Sequence, residues 1–393
     1  MKIFLWHGYL LGGTGSNVYT RQLAREWSRA GHDVTVFCQE THPERFDLGR
    51  ARVLKPDVGG LLPVFVLDRY QGYEVKLLQN CGREELDRWV DANAEALRSS
   101  LPADLVFCNH VLLGGAVGRA TGSPYVVKAH GSELEYSMRG RPELETWGAD
   151  VLASARAVFV GSGHIRAVLE DVCGHVEHVH EVPPGVDVEE WRPLPREEAL
   201  ARLLDEARRD PPNPGGDEPT VVYFGKLIPQ KGVEILLEAM EGLEARLVVV
   251  GFGPQRAELE ALASPRTLFT GLLEHRHLSK LLALANVCVV PSVFPEAFGM
   301  VAAEAAAAGC PPLVSRHSGL AEVAEGLESE YPSDLRDLSS FATGDASELN
   351  EKLRALLTLS SAERELISTA ARRAVVERWS WESVAERLLA LAV

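Results

Sequence analysis

Short apolar runs alternate along the chain with longer stretches that repeat apolar residues at helical spacing. Residues 2–6 (KIFLW) form the first run. A glycine-rich turn, Leu11-Gly-Gly-Thr-Gly15, leads from it into a segment over about 16–30 with Val18, Leu23, Ala24 and Trp27 at helix spacing. Gly31 suits the left-handed residue that ends a helix. Strands are expected at 33–38, 63–67, 104–108, 124–129 and 157–161, with helices at about 83–99, 142–154 and 163–172. Pro193, Pro195 and the run 211–216 (PPNPGG) interrupt the pattern. A second series then follows, with strands at 220–224, 246–250, 267–269, 286–290 and 312–315 and helices at 231–241, 254–263, 276–284 and 299–308. This alternation predicts an α/β protein built on parallel sheets covered on both faces. It divides into two Rossmann-like β/α/β domains, 1–184 and 185–375. A helical segment over about 362–391 breaks near Trp379 and Trp381, and its end, 376–393, is expected to pack back on the first domain.

Composition fits two globular domains: of 393 residues, 46% are hydrophobic and 24% charged. The net charge of −16 excludes a general nucleic-acid binder and a protein held on anionic lipid by charge alone. Residues 1–185 carry 19 Lys and Arg against 23 Asp and Glu, so no basic surface marks membrane association, although the apolar stretch 59–66 (GGLLPVFV) could dock on lipid. The six cysteines include no CxxC pair and read as reduced thiols. With no signal peptide and no apolar run of membrane length, a cytoplasmic protein is expected.

The glycines of the first turn would bring backbone N–H groups to the sheet edge where phosphates bind. They do not form a dinucleotide fingerprint, because the third glycine would fall on Val18; Gly251-Phe-Gly253 fails likewise at Arg256. The second domain says more. Lys226 and Lys231, two of only eight lysines, bracket the segment from Gly225 to Gly232 at a strand end, which suits a diphosphate; two solvated lysines are the plainer alternative. After strand 286–290 come Glu296, Phe298, Gly299, Met300, Val301 and Glu304. The N–H groups of Gly299, Met300 and Val301 favour an anion. Two carboxylates beside them make sense as acceptors of hydrogen bonds from sugar hydroxyls. His178 and His180 lack a third ligand, so no metal site is expected.

This Glu296-x7-Glu304 block resembles the corresponding element of retaining glycosyltransferases of the GT-B fold, in particular glycosyltransferase family 4. The resemblance extends over the chain: residues 12–37, Ala129-His130-Gly131, Pro184-Gly185-Val186-Asp187 and Gly225-Lys226 to Lys231-Gly232 each look like a family motif. It implies two domains facing each other across a cleft that closes on the donor. It implies that Lys226, Lys231 and Gly225 meet the donor diphosphate, that Gly13, among the donor-binding residues, approaches the phosphate or the acceptor, that Glu304 binds ribose hydroxyls, and that Glu296 binds hydroxyls of the donor sugar. Phe298, Gly299, Met300 and Val301 would contact sugar and phosphate through their backbone, and the base would be read around Gly271, Leu272 and Leu273. His130 would lie near the reacting sugar, from the opposite domain. His130, Glu296, Lys231 and Lys226 are thus the implied catalytic set. Gly12, Asn17, His110, Lys128, Glu133, Tyr136 and Arg139 are candidate acceptor contacts. Lys226 stands where the family usually has Arg, replacing a bidentate fork by a point charge.

The implied reaction moves a hexose from a nucleotide-diphosphate donor, UDP favoured, to a hydroxyl of a small-molecule or saccharide acceptor, with retention and no metal or cofactor. A non-catalytic nucleotide-sugar-binding subunit and a GT-B-like epimerase are the alternatives. A phosphorylase would need a pyridoxal lysine among Lys226, Lys231, Lys280 and Lys352.

Overall fold

A computed structural model describes residues 1–66, 70, 72–206 and 218–393; the 211–216 run lies outside the described residues. The chain divides into two compact units, Met1–Pro184 with Val384–Val393, and Gly185–Ser383.

The first unit carries β1 (Lys2–Trp6), β2 (Asp33–Phe37), β3 (Arg52–Leu54), β4 (Leu61–Val64), β5 (Glu74–Leu77), β6 (Leu105–Asn109), β7 (Tyr125–Lys128), β8 (Ala157–Val160) and β9 (Val179–Glu181). Seven of these form one parallel sheet in the order β3-β2-β1-β6-β7-β8-β9, while β4 and β5 pair separately. Residues Ile3, Phe4, Leu5 and Trp6 of the central β1 are fully buried, as a strand covered on both faces requires. Helix Gly15–Arg29 packs Leu23, Ala24 and Trp27 inward.

One helix of this unit, Leu112–Thr121, breaks the expected pattern because three glycines interrupt it. Close packing demands them. A Cβ on Gly114 would stand 1.9 Å from the Asn109 carbonyl oxygen, one on Gly115 2.2 Å from Val151, and one on Gly118 2.7 Å from the Tyr125 ring. The strands β3, β5 and β9 are likewise additions to the sequence reading, each only three or four residues long.

The second unit carries β10 (Thr220–Phe224), β11 (Arg246–Val250), β12 (Thr267–Gly271), β13 (Val287–Val290), β14 (Pro312–Ser315) and β15 (Ser340–Phe341). They form a parallel sheet in the order β12-β11-β10-β13-β14-β15. The alanine-rich helix Met300–Ala307 packs flat against it, with Ala302, Ala303, Ala305, Ala306 and Ala307 fully buried. Helices Arg196–Glu206, Ser318–Glu328 and Ala346–Thr358 were not expected from the pattern.

The C-terminal helical segment is two helices, Ser361–Trp379 and Trp381–Ala392, separated by an extended Ser380. Val186 bridges Ser380: its N–H donates to the Trp379 carbonyl at 2.6 Å, and its carbonyl accepts from Trp381 at 3.3 Å. Gly185 must lack a side chain there, since a Cβ would lie 2.4 Å from the Trp381 ring. The last ten residues, Val384–Val393, belong to the first unit, where the Trp27 indole N–H donates to the Ala385 carbonyl at 3.0 Å. Residues 376–383 stay with the second unit, which moves the expected boundary of the returning segment from 376 to 384. Among the described residues, no helix is long and apolar enough to cross a membrane.

Candidate functional site

In the second unit the candidate residues gather at the C-terminal ends of the strands. Backbone bonds knit these ends together: Gly225 N–H to the Val250 carbonyl (3.0 Å), Gly251 N–H to Gly271 (2.9 Å) and Leu227 N–H to Phe252 (2.9 Å). Gly251 has φ +144°, and a Cβ there would sit 1.8 Å from the Gly225 carbonyl oxygen. The Gly251-Phe-Gly253 pair therefore serves backbone packing, which explains why it resembles half a fingerprint. Gly232, at φ +62°, lets the loop carrying Lys231 press on the Pro291 carbonyl, and Val293 N–H closes the contact on the Gln230 carbonyl at 3.0 Å.

That junction brings Lys231 and Glu296 into an ion pair. The sequence reading gave them separate ligands. Several bonds hold Glu296. Ser292 Oγ donates to its Oε1 at 2.7 Å, its backbone N–H donates to Ser318 Oγ at 2.9 Å, and its carbonyl accepts from Gly319 N–H at 3.0 Å. His317 braces both loops, with Nε2 2.7 Å from the Ser292 carbonyl oxygen and Nδ1 3.0 Å from Ser318 Oγ. Lys226 is exposed beside this pair's loop, and Tyr223 OH holds its carbonyl at 2.8 Å.

Phe298 is buried against Trp379, so its side chain is core and only its backbone can meet a ligand. Gly299 starts the following helix at φ +109°, with Leu320 where a Cβ would point. The first N–H groups of that helix, including those of Met300 and Val301, have no intrahelical carbonyl to bond. Leu273 follows β12 and Gly271 ends it at φ +78°; Leu272 between them is 75% exposed.

Glu304 keeps part of its surface open but lies deep enough that burial pushes its carboxyl up to about 7, against an opposing pull from His275. Glu190, 3.5 Å from His275 Nδ1, raises the histidine's pKa. The His275 ring also rests 5.2 Å from Trp191, which stacks on Phe224. Sequence reasoning missed both Glu190 and His275. The available signal was position: His275 opens the helix after β12, at the same sheet edge as the lysines.

In the first unit the candidates surround the ends of β1, β6 and β7. Gly13, at φ +97°, has open space where a side chain would be, and Gly12 is half-buried. His130 follows β7, with Nε2 3.0 Å from Asn109 Oδ1 and its ring 4.7 Å from His110. Burial, then the nearby Lys128 and His7, hold its pKa well below the usual value.

Three expected acceptor contacts turn out to be braces. Asn17 is buried, with Oδ1 2.7 Å from His7 Nε2 and its amide donating to the Gly12 carbonyl. Lys128 is buried and donates to the Val182 carbonyl at 2.9 Å, and burial lowers its pKa to about 7. Glu133 is fully buried. Its carboxylate accepts from Val111 N–H at 2.8 Å and His130 N–H at 3.2 Å, and burial raises its pKa to about 8. His110 is buried at a left-handed φ of +73°, packed against Phe65 and Tyr9. Tyr136 is exposed, and Arg139 is committed to Glu135 and Asp171. Among the described residues, no group of three or more His, Cys, Asp or Glu is placed to hold a metal ion.

Comparison with known proteins covers most of the chain. Residues 13–190 match the family model described as Glycosyltransferase Family 4, and residues 205–373 match Glycosyl transferases group 1. A D-inositol 3-phosphate glycosyltransferase of Xylanimonas cellulosilytica is 29% identical over 95% of this chain and 90% of its own length. A GDP-mannose-dependent alpha-(1-6)-phosphatidylinositol monomannoside mannosyltransferase of Mycobacterium tuberculosis is 29% identical over 70% of this chain and 71% of its own. Among solved structures, sucrose-phosphate synthase from Thermosynechococcus elongatus superposes with a TM-score of 0.67 at 24% identity, covering 99% of this chain and 98% of that one. With one family model on each half and this shared architecture, the chain belongs to the family 4 glycosyltransferases and has their GT-B fold.

Proposed function

We propose that this glycosyltransferase moves a hexose from a nucleotide-diphosphate donor to a hydroxyl of a soluble small molecule or saccharide, with retention of configuration and without a metal. The observation that carries the reading is the meeting of Lys231 with Glu296 on the sheet edge that also bears Glu304. Bond breaking develops negative charge on the leaving diphosphate. Lys231 and the N–H groups of Gly299 to Val301 are held in place to meet that charge, and the exposed Lys226 adds a second ammonium. Glu296 orients the sugar through its hydroxyls and Glu304 the ribose, while His130 contacts the donor sugar. The acceptor hydroxyl attacks on the face the diphosphate leaves and passes its proton to a phosphate oxygen, so no protein nucleophile is required.

UDP and GDP are the two bases to separate. The sequence reading favours the first, and relatives named as GDP-mannose-dependent favour the second. A thermal-shift panel of UDP, GDP, ADP, dTDP and their sugars, with EDTA or magnesium, tests the proposal. A ligand at a hundred times its Kd stabilises by about 2.7 kcal/mol, a rise of roughly 5–10 °C for a unit of this size. A rise with one base that survives EDTA is expected. No rise with any nucleotide would defeat the reading.

Glu304 adds a pH signature. Its folded pKa of about 7 lies above the unfolded value, so between roughly pH 4.5 and 7 the folded state holds the extra proton and stability falls as pH rises. Glu304→Gln is therefore expected to gain about 1–2 kcal/mol at pH 8, after allowance for the open part of its surface. Nucleotide affinity should move the other way, falling about tenfold because the amide is a weaker acceptor for ribose hydroxyls. Melting curves and nucleotide titrations at pH 6 and 8 check both signs.

A further inference from the structure

The hydrogen-bond chain behind His130 determines which of its ring nitrogens carries the proton. Thr20 Oγ1 donates its single proton to the Ser16 carbonyl at 2.8 Å. Toward Asn109, 3.2 Å away, that hydroxyl can therefore only accept, so Asn109 must turn its NH2 group to Thr20. The other end of the amide, Oδ1, then faces His130 Nε2 at 3.0 Å, and a carbonyl oxygen there can only accept. His130 Nε2 must carry the hydrogen. In a neutral imidazole this leaves the lone pair on Nδ1.

Asn109 and Thr20 are both fully buried, so water does not compete for these bonds. The backbone is held as tightly: Glu133 accepts the His130 N–H, and a side chain at Gly114 would strike the Asn109 carbonyl. The groups facing the ring are His7 from the end of β1, Tyr19 from helix Gly15–Arg29, Lys128 from β7, His110 from the end of β6, and Glu133. His7 and Lys128 disfavour a second proton, and the first unit repeats the device at His7, whose Nε2 faces Asn17 Oδ1.

We infer that Asn109 is a positioning residue that fixes His130 as the Nε2–H tautomer, so that the ring offers Nδ1 as a hydrogen-bond acceptor to a donor-sugar hydroxyl. The sugar contact rests on the proposed glycosyl transfer; the tautomer does not. A histidine set this way accepts and orients a hydroxyl proton and is not a proton donor to the leaving group.

Long-range proton–nitrogen correlation spectra of the full chain labelled with 15N-histidine test this directly. The His130 signals are identified by their loss in His130→Gln. The wild type is expected to show one Nε2–H tautomer between about pH 6 and 8. An Nδ1–H form or a mixture would overturn the assignment, and this needs no variant to fold beyond the one used for identification. Asn109→Asp should draw a second proton onto the ring and add an ionisation to the pH profile of kcat/KM. Asn109→Ala should lower kcat/KM about tenfold, the equivalent of one orienting hydrogen bond. An Asn109→Ala spectrum with the wild-type tautomer and unchanged kcat/KM would remove Asn109 from the role. Adding the nucleotide sugar that gives a thermal shift should move the Nδ1 resonance. Binding without that movement overturns the sugar contact, and absence of any nucleotide-sugar binding overturns glycosyl transfer while the tautomer stands or falls on its own spectrum.

Discussion

Lys231→Met is expected to lower kcat/KM by about 10²–10³, the scale of losing one preorganised group that stabilises leaving-group charge. Glu296→Gln should separate two effects that Lys231→Met combines. Glu296 is the ion-pair partner of Lys231, and both side chains are mostly buried, at 21% and 29% exposure. Removing its charge releases Lys231 and takes a negative group away from the diphosphate. Affinity for the free nucleoside diphosphate should therefore rise, by about five- to tenfold in a setting this partly screened. Turnover of the nucleotide sugar should fall about a hundredfold, because the amide binds the sugar hydroxyls less strongly than the carboxylate. Calorimetric titration of the diphosphate beside steady-state rates reads both. A loss of diphosphate affinity in Glu296→Gln would mean that the carboxylate holds Lys231 in its binding position and does not compete with the diphosphate for it.

The second large effect is on stability. Gly251→Ala would place a methyl group 1.8 Å from the Gly225 carbonyl oxygen at a backbone φ of +144°, so two backbones that bond to neighbouring strands must separate. A cost of about 3–4 kcal/mol is expected. That corresponds to a fall in melting temperature of roughly 6–15 °C for a unit of this size. Gly13→Ala is the control. It shares a positive φ, +97°, but has nothing within 4 Å of the new atom, so it should cost only the dihedral term, about 1–2 kcal/mol. Equal melting temperatures for the two variants would show that the strand ends yield to the added methyl.

The strands legible in the sequence are those buried on both faces. After their first residues, β1, β10 and β11 read as unbroken apolar runs because every following position is buried. Helix Leu112–Thr121 was hidden because propensity argues against three glycines, whereas neighbouring atoms require them. Strands such as β15, two residues long, carry no period to detect.

In the site, residue types were more legible than their partners. Lys231 and Glu296 stand out by motif, but 65 positions separate them and only the fold pairs them. Asn17, Lys128 and Glu133 were expected to face an acceptor because they are polar and lie near His130 or the glycine turn. A side chain that braces a loop from within looks the same in sequence as one that reaches a ligand. Asn109 gave no signal, and His275 only its position after β12, since the roles of both arise from neighbours distant in the chain.

The last ten residues give the first unit an unusual order of assembly. Its sheet is complete by Pro184, yet the Trp27 indole finds its acceptor on Ala385, which a ribosome adds only after the whole second unit has been made. During synthesis the first unit therefore waits with the Trp27 face open to water until Val384–Val393 arrive. Meanwhile the second unit, whose residues run from Gly185 to Ser383 without interruption, can fold as it emerges. Vectorial synthesis thus favours completion of the later unit before the earlier one. A chain ending at Ser383 would keep every residue of the second unit and leave the Trp27 surface of the first uncovered.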